Sequence, residues 1–240
     1  MDESSNKPIL VKLVLLGSLG VGKSAMTVRF LTKRFIGEYD PNIGSVYHHT
    51  VCLGGQEVNV HILDLGGELT ECQRMKEASI LWGDAFLLVY SITSLQSFTD
   101  ISCIIQHLTA MRTQGSHALL AIVANKTDAE SQREVSTSDG VALAQSLPCS
   151  FSEISTSTSY EDVERVFTEI IQEAVKFKRA TQCSSGVRRG PYSKIKNLMD
   201  KHVTRGRAMS SLRETIDEYC VTRSAEDFLE MRDRSGTCRF

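Results

Sequence analysis

The feature that most restricts the fold of this chain is a glycine-rich loop between two regular elements, with the sequence Gly17-Ser18-Leu19-Gly20-Val21-Gly22-Lys23-Ser24. The apolar run before it, Ile9 to Leu16, has the length and composition of a buried strand. The residues after it, from Ala25 onward, have helical spacing. A strand, the pattern G-x-x-x-x-G-K-S and a helix are together typical of a phosphate-binding loop. We therefore predict that residues 17–25 hold phosphates through backbone N–H groups, the helix N-terminus and Lys23.

Length and composition indicate a folded α/β domain with an appendage. The chain has 240 residues, and 41% of them are hydrophobic. Its seven cysteines are scattered without a C-x-x-C pair, and the first residues do not resemble a signal peptide. We therefore expect free thiols in a reducing cytoplasm. No apolar run approaches the length of a membrane span.

Charge is strongly segregated along the chain, although the net charge is only −2. Residues 1–175 carry a balance of −9, residues 176–213 one of +10 and residues 214–240 one of −3. This asymmetry indicates a boundary near residue 176. We predict an N-terminal tail, a folded binding domain and a basic then acidic C-terminal extension, with the bounds 1–8, 9–178 and 179–240.

Apolar runs typical of buried strands alternate with stretches of helical spacing over residues 9–178. This alternation predicts an α/β fold with a doubly wound, mostly parallel sheet of six strands, including a hairpin at Gly54-Gly55. The extension shows no strand pattern, and we expect it to be poorly structured. Ligands of such sheets bind beyond the carboxyl ends of the strands. Four polar clusters follow strand ends and should converge there: residues 17–24, 64–68, 125–128 and 155–157.

The residues around the second strand end predict a magnesium site. Asp64 closes an apolar strand, and its carboxylate together with the Ser24 hydroxyl supplies the oxygen ligands that Mg²⁺ prefers. Gly67 follows in a pair of glycines and can turn its backbone N–H toward the outermost phosphate. We therefore assign Lys23 and Gly67 to the outermost phosphate, and Ser24 and Asp64 to the metal.

The tetrapeptide Asn125-Lys126-Thr127-Asp128 indicates which base is bound. The Asp128 carboxylate can accept hydrogen bonds from both N1–H and the 2-amino group of guanine. Adenine lacks that pair of donors and would leave the carboxylate unpaired, which is costly. The stem of Lys126 can lie along the ring. The sequence therefore predicts GTP and GDP as ligands.

These motifs together resemble the small GTPases of the Ras superfamily over residues 9–178. The segment Arg29 to Pro41 is similar to a Ras-like subgroup that includes the Ras-related estrogen-regulated growth inhibitor. The resemblance implies that Phe35 stacks on guanine and that Ser155 and Thr156 close over the base. It also implies two switch loops, residues 36–47 and 65–82, through which effectors and regulators bind.

Three departures from the superfamily pattern bear on hydrolysis. Asn42 stands where a threonine supplies a further Mg²⁺ ligand, and its amide can still coordinate the metal. Glu68 replaces the catalytic glutamine that orients the attacking water, and Leu19 replaces a loop glycine with a bulky side chain. We therefore expect slow hydrolysis. The alternative is a pseudo-GTPase, a nucleotide-binding interaction module without meaningful turnover; a third interpretation, an ATP-using kinase, is disfavoured by Asp128.

The basic segment 176–213 leaves three interpretations open: an arm that contacts anionic lipid or directs nuclear import, a solvated tail, or a segment folded onto the acidic domain. Cys238 is one position out of register for a Cys-a-a-X box, and Met1-Asp2 does not fit myristoylation, so we expect no lipid anchor. No aromatic residues interleave with the basic ones to favour nucleic acid. We expect a cytoplasmic protein with a nuclear or peripheral-membrane fraction.

Overall fold

A computed structural model describes the backbone of residues 9–35, 44–65, 73–111, 119–147, 149–184 and 220–224. Side chains are described over the same ranges, apart from residues 73–76, 182–184 and 220–224. Three residues predicted for the site, Asn42, Gly67 and Glu68, lie outside the described residues. So do residues 36–43 of the first predicted switch loop and residues 66–72 of the second.

The described residues form five α-helices, a short 3₁₀ helix and seven strands, which alternate along most of the chain. The strands are β1 (Ile9–Leu16), β2 (Gly44–Leu53), β3 (Gln56–Asp64), β4 (Ala85–Ser91), β5 (Leu119–Asn125), β6 (Ser150–Glu153) and β7 (Cys220–Ser224). The helices are α1 (Lys23–Thr32), α2 (Gln73–Trp82), α3 (Leu95–Met111), α4 (Thr137–Gln145) and α5 (Tyr160–Ser184), with the 3₁₀ helix at Thr127–Gln132.

The strands form one sheet in the order β6-β5-β4-β1-β3-β2-β7. Neighbours are parallel except β2 and β3, which form the antiparallel hairpin expected at Gly54-Gly55. The prediction of an α/β, doubly wound, mostly parallel sheet is therefore confirmed, with β1 to β6 as the six expected strands.

The extension, whose sequence shows no strand pattern, nevertheless contributes a seventh strand, because Cys220–Ser224 pairs with β2. An edge strand of five residues is held by backbone hydrogen bonds, which leave little side-chain periodicity in the sequence. Helix α5 also continues beyond residue 178, to Ser184.

The core lies in two layers, one on each face of the sheet. Successive side chains of β1 point to opposite faces, so Leu13 packs with α1 and α5 while Val14 packs toward α2 and α3. On the first face, Phe30 and Phe167 stack with ring centroids 4.3 Å apart. On the second face, Ile101 of α3 is fully buried. Each such side chain stabilises the fold by about 1.5–3 kcal/mol, so both layers fix the strand ends that carry the site.

Helix α5 is fixed at the end of the sheet opposite the predicted site. Lys178 donates a hydrogen bond of 2.7 Å to the Leu10 carbonyl and forms an ion pair of 2.6 Å with Asp84. The same Asp84 carboxylate oxygen accepts a 2.8 Å hydrogen bond from the backbone N–H of Lys12. These contacts join α5 to the amino ends of β1 and β4. Within the described ranges, no helix has both the length and the apolar character that a bilayer crossing requires.

Candidate functional site

The loop between β1 and α1 has the backbone conformation that its glycines were predicted to allow. Gly17 and Gly22 have φ values of 148° and 103°, which residues with a side chain rarely adopt. A Cβ on Gly17 would lie 2.0 Å from the Val89 carbonyl oxygen, and one on Gly22 would lie 2.3 Å from Asn125 Nδ2. The loop is thus pressed against β4 and β5 so closely that only glycine fits at these two positions.

Helix α1 begins at Lys23 directly after this loop, with Gly22 as its N-cap and no side-chain capping hydrogen bond. The first backbone N–H groups of a helix have no partner within the helix, and they carry partial positive charge. An anion at the end of β1 would meet these donors together with the N–H groups of the loop. Residues 17–25 therefore form the continuous loop and helix start that the predicted phosphate cradle requires.

The Lys23 ammonium lies over the loop that precedes it. Its Nζ donates to the carbonyl oxygens of Gly17 at 2.8 Å and Ser18 at 2.9 Å, and the residue is buried. A buried positive charge at this position favours an anionic ligand. Leu19, at the tip of the loop, is 64% exposed and directs its bulk away from the core.

Ser24 and Asp64, the two predicted metal ligands, are brought together by α1 and the end of β3. The Ser24 hydroxyl donates a hydrogen bond to the Asp64 carboxylate, which is only 3% exposed. Burial raises the pKa of Asp64, while the hydrogen bond from Ser24 and the charge of Lys23 oppose this rise. The other oxygen, Oδ1, is buried and has no hydrogen-bond partner among the described residues.

This pair satisfies a chemical test for Mg²⁺. A buried carboxylate oxygen without a partner normally requires an explanation, and a divalent cation is one of the few groups that satisfy it. Carboxylate and hydroxyl oxygens are the ligands that Mg²⁺ prefers. The residues present therefore fit the metal.

Asn125 connects the phosphate loop to the loop after β6. Its Nδ2 donates to the Val21 carbonyl at 2.8 Å. Its Oδ1 accepts from the backbone N–H of Thr156 at 3.1 Å and from the Thr156 hydroxyl at 2.9 Å. Asn125 is buried, and its amide is therefore committed to positioning two loops. Sequence reasoning assigned Asn125 to base selection and did not foresee this bridge.

The Asp128 carboxylate is held from one side and exposed on the other. The Ser155 hydroxyl donates to its Oδ1 at 2.5 Å, and this hydrogen bond is the main reason why the pKa of Asp128 is lowered. Lys126 has a left-handed backbone, with φ 68°, at the turn from β5 into the 3₁₀ helix. The carboxylate is therefore ionised and available to donors from solvent or from a base.

The remaining predicted residues divide into two groups. Ser155 and Thr156 are buried beside Asn125 and Asp128, as expected for a loop that closes over a base. Phe35 is 46% exposed and stands just after α1. No statement on Asn42, Gly67 or Glu68 follows from the structure, so their metal and catalytic roles stay predictions.

Sequence reasoning missed one contact of the phosphate loop. The Ser18 hydroxyl donates a 2.6 Å hydrogen bond to the carboxylate of Asp100 on α3, and Gln96 donates to the other oxygen of the same carboxylate at 2.8 Å. Ser18 and Asp100 are 82 positions apart, so no local motif could indicate the pair. The loop is thus tied to α3 as well as to β5.

The chain is similar to known proteins over most of its length. The sequence model described as the Ras family matches residues 12–176. The chain is 41% identical over 188 residues to Ras-like protein family member 11A of Mus musculus, a match that covers 75% of this chain and 77% of that protein. It is 38% identical over 195 residues to the Ras-related and estrogen-regulated growth inhibitor of Homo sapiens, covering 81% and 96%. It is 41% identical over 169 residues to Ras-like protein family member 12 of Homo sapiens, covering 70% and 62%. With a family model that matches residues 12–176 and relatives of this identity and coverage, the chain belongs to the Ras family of small GTPases.

Proposed function

We propose that this Ras-family protein binds GTP and GDP together with Mg²⁺ and hydrolyses GTP slowly, as a signalling switch or regulator. The observation that carries the proposal is the Asn125 bridge, which holds the phosphate loop and the base-binding loop in one fixed arrangement. Two loops fixed in this way define both the position of a nucleotide's phosphates and the position of its base.

The phosphate end of the nucleotide meets residues 17–25. Backbone N–H groups of the loop and of the first turn of α1 donate to the phosphates, and Lys23 exchanges its loop carbonyls for phosphate oxygens. Ser24 and Asp64 hold the metal, with Asn42 as a further ligand. Bound Mg²⁺ neutralises charge that develops on the phosphates during transfer.

The base end meets the loops after β5 and β6. The ionised Asp128 accepts from N1–H and the 2-amino group of guanine, and Ser155 keeps that carboxylate in place. Lys126 and Phe35 cover the faces of the ring. Since an adenine would leave Asp128 unpaired, guanine is preferred.

Slow hydrolysis is inferred from two side chains. Glu68 places a carboxylate where a neutral amide would orient the attacking water, and like charge near the phosphates opposes that role. Leu19 is exposed at the tip of the phosphate loop, and its bulk hinders both the water and an arginine supplied by a partner. Gly67 still supplies a backbone N–H to the outermost phosphate.

The alternative is a nucleotide-binding module without meaningful turnover. It is favoured by Asn42 and Glu68 together, since both replace residues that respond to the outermost phosphate. Partner contacts through residues 36–47 and 65–82, and contact of residues 176–213 with anionic lipid, are compatible with either function.

Nucleotide extraction followed by single-turnover hydrolysis tests the proposal. The purified full chain is denatured, and the released nucleotide is identified by chromatography; we expect GDP or GTP. The protein is then reloaded with GTP, and the rate of single-turnover hydrolysis is measured with and without Mg²⁺. We expect the double variant Leu19→Gly/Glu68→Gln to hydrolyse GTP at least about tenfold faster than the wild type, a barrier difference of about 1.4 kcal/mol.

Glu173→Gln, which neutralises an exposed carboxylate on α5, is the matched control and should leave the rate unchanged. A wild-type rate equal to that of the double variant would contradict slow hydrolysis caused by these side chains. Bound nucleotide with no hydrolysis in any variant would support the alternative. A chain that neither carries nor takes up guanine nucleotide would exclude both.

A further inference from the structure

The outer edge of β2 is paired with a segment that lies far along the chain from the folded domain. Residues Cys220–Ser224 run parallel to the first half of β2, with Gly44 opposite Cys220 and His48 opposite Ser224. The pairing is continuous over five positions, so it is a ladder and not an isolated bridge. No other described strand lies on that side of β2.

The edge that β7 covers has none of the features that keep sheet edges from pairing. Strand β2 has ten residues with the sequence GSVYHHTVCL, which contains no lysine, arginine, acidic residue or proline. Edges are usually protected by such residues or by being short. At the other edge of the sheet, β6 has only four residues. Strand β2 is therefore the less protected of the two edges of the sheet.

The segment can reach this edge within one molecule. Helix α5 ends near the β2–β3 hairpin, where Arg179 contacts Gln56. Strand β7 begins at the opposite end of β2, which is about 30 Å away at about 3.3 Å per residue. Residues 185–219 connect the two points, and an extended chain of that length spans several times this distance. Val221 and Thr222 are β-branched, which favours an extended conformation.

The covered edge lies directly beside the nucleotide site. Ser45 of β2 pairs with Asp64 of β3 on one side and with Val221 of β7 on the other. Gly44, where the pairing begins, is the first described residue of the predicted first switch loop, residues 36–47. An extended segment of a partner protein that paired with β2 would therefore contact the protein where nucleotide-dependent changes are expected.

We propose that the outer edge of β2 is a strand-acceptor surface whose partner is segment 220–224 of the same chain. The segment occupies the surface in parallel register, and an extended segment of another protein pairs there only after it has left. This assignment goes beyond the proposed function, because it concerns backbone pairing of the sheet edge and not the binding or hydrolysis of a nucleotide.

Proline substitution along β7 tests the pairing. In a parallel ladder the N–H groups of alternate residues point to the neighbouring strand, and those between them point away. Proline is tolerated only where the N–H points away. Of Val221→Pro and Thr222→Pro, one should detach β7 and the other should leave it in place. Arg223→Pro should behave as Val221→Pro does, because residues 221 and 223 direct their N–H groups to the same side. The tolerated variant is the matched control for the disruptive one.

The readout is residue-resolved amide hydrogen exchange of the full chain. Alternate amides of residues 44–48 should exchange at least about tenfold faster in the disruptive variant than in the wild type and the tolerated variant. Equal exchange in all variants, without the alternation, would overturn the proposal. Protection that falls on dilution would also overturn it, because the occupant would then be a second copy of the chain.

A peptide competition tests the surface itself. A fluorescent peptide with the sequence of residues 218–226 is titrated into the wild type and the disruptive proline variant, and its anisotropy is measured. We expect the variant to bind at least about tenfold more tightly, because its own segment no longer covers β2. Equal affinities would show that the edge is open in the wild type, and absence of binding to both would show that β2 is not an acceptor; either result overturns the proposal.

Discussion

The two halves of the candidate site differ in how completely their polar groups are satisfied. In the base-binding half, Asn125 is bonded to Val21 and Thr156, and Ser155 is bonded to Asp128. In the phosphate and metal half, Asp64 has a buried oxygen without a partner among the described residues. Lys23 in that half donates to the carbonyl oxygens of Gly17 and Ser18.

This difference indicates that the fold alone fixes the side chains of the base-binding half, whereas the side chains of the phosphate and metal half depend on a ligand. A satisfied, buried hydrogen-bond network is rigid, because each alternative arrangement would leave a polar group unpaired. A buried carboxylate with one unpaired oxygen raises the free energy of the folded protein until a cation or a proton arrives. The base-binding half should therefore act as a preformed receptor, and the metal half should gain order and stability on binding.

The largest expected effect comes from breaking the connection between the halves. Gly22→Ala places a Cβ 2.3 Å from Asn125 Nδ2, so the hydrogen bond to Val21 must break. We expect GDP affinity, measured by displacement of a fluorescent analogue, to fall by about a hundredfold, which corresponds to about 3 kcal/mol. Gly20→Ala is the matched control: its φ is also positive, at 78°, but a Cβ there meets no atom within 4 Å. Equal losses in the two variants would show that backbone strain, and not the collision with Asn125, is responsible.

A change at Asp128 tests the preformed half alone. Asp128→Asn replaces one acceptor by a donor, which opposes the 2-amino group of guanine and matches the 2-oxo group of xanthine. GDP affinity should fall by about a hundredfold and xanthosine diphosphate affinity should rise, since hydrogen bonds to a charged group contribute about 1.5–3 kcal/mol each. Glu130→Gln removes a nearby exposed carboxylate that pairs with Arg133 and should change neither affinity. Unchanged preference for guanine in the Asp128 variant would remove this residue from base recognition.

The two halves should also lose function at different pH values. Burial raises the pKa of Asp64 above 3.8, so the folded protein takes up this proton at a higher pH than the unfolded chain. Metal-free stability therefore falls as pH rises through that raised pKa, and Mg²⁺ binding weakens as pH falls through it. The hydrogen bond from Ser155 lowers the pKa of Asp128 below 3.8. The Asp128 carboxylate therefore stays charged at pH values at which Asp64 is already protonated.

Two measurements made from pH 7 downward check which half loses its function first. Thermal unfolding with and without Mg²⁺ reports metal binding, and the ratio of GDP to ADP affinity reports base recognition. Mg²⁺ at a hundred times its Kd should add about 2.7 kcal/mol at neutral pH, and this gain should disappear before the guanine preference does. Asp64→Asn should abolish the gain and, at pH 7 without metal, should unfold at a higher temperature than the wild type. Simultaneous loss of both properties on acidification would contradict the division into two halves.

The smallest effect on stability and affinity is expected at Thr156, which makes two hydrogen bonds to the same oxygen of Asn125. Asn125 Oδ1 accepts from both the backbone N–H and the hydroxyl of Thr156. Thr156→Val removes only the hydroxyl, so we expect a loss of about 1 kcal/mol in stability and about fivefold in GDP affinity. Urea unfolding and nucleotide displacement measure the two quantities. A loss as large as that of Asn125→Ala would mean that the backbone N–H alone cannot hold the loop.

What the sequence predicted depends on the range of each interaction. The phosphate loop, Asp64 and the Asn125–Asp128 turn were predicted because each is a short motif at the end of an apolar strand. The bridge from Asn125 to Val21 joins residues 104 positions apart, and its geometry follows only from the order of the strands. Strand β7 was missed for a different reason, since its pairing uses backbone groups that every residue carries.

The anchoring of α5 determines how the domain would face a surface to which its tail is attached. Lys178 holds the end of α5 against Leu10 and Asp84, at the amino ends of β1 and β4. The phosphate loop begins at the other end of β1, about 23 Å away along its eight residues. If the residues immediately after Ser184 were held at a bilayer or a sensor chip, the nucleotide site would point outward, into the surrounding solution. Nucleotide exchange and the approach of regulators would then remain unobstructed while the protein was immobilised.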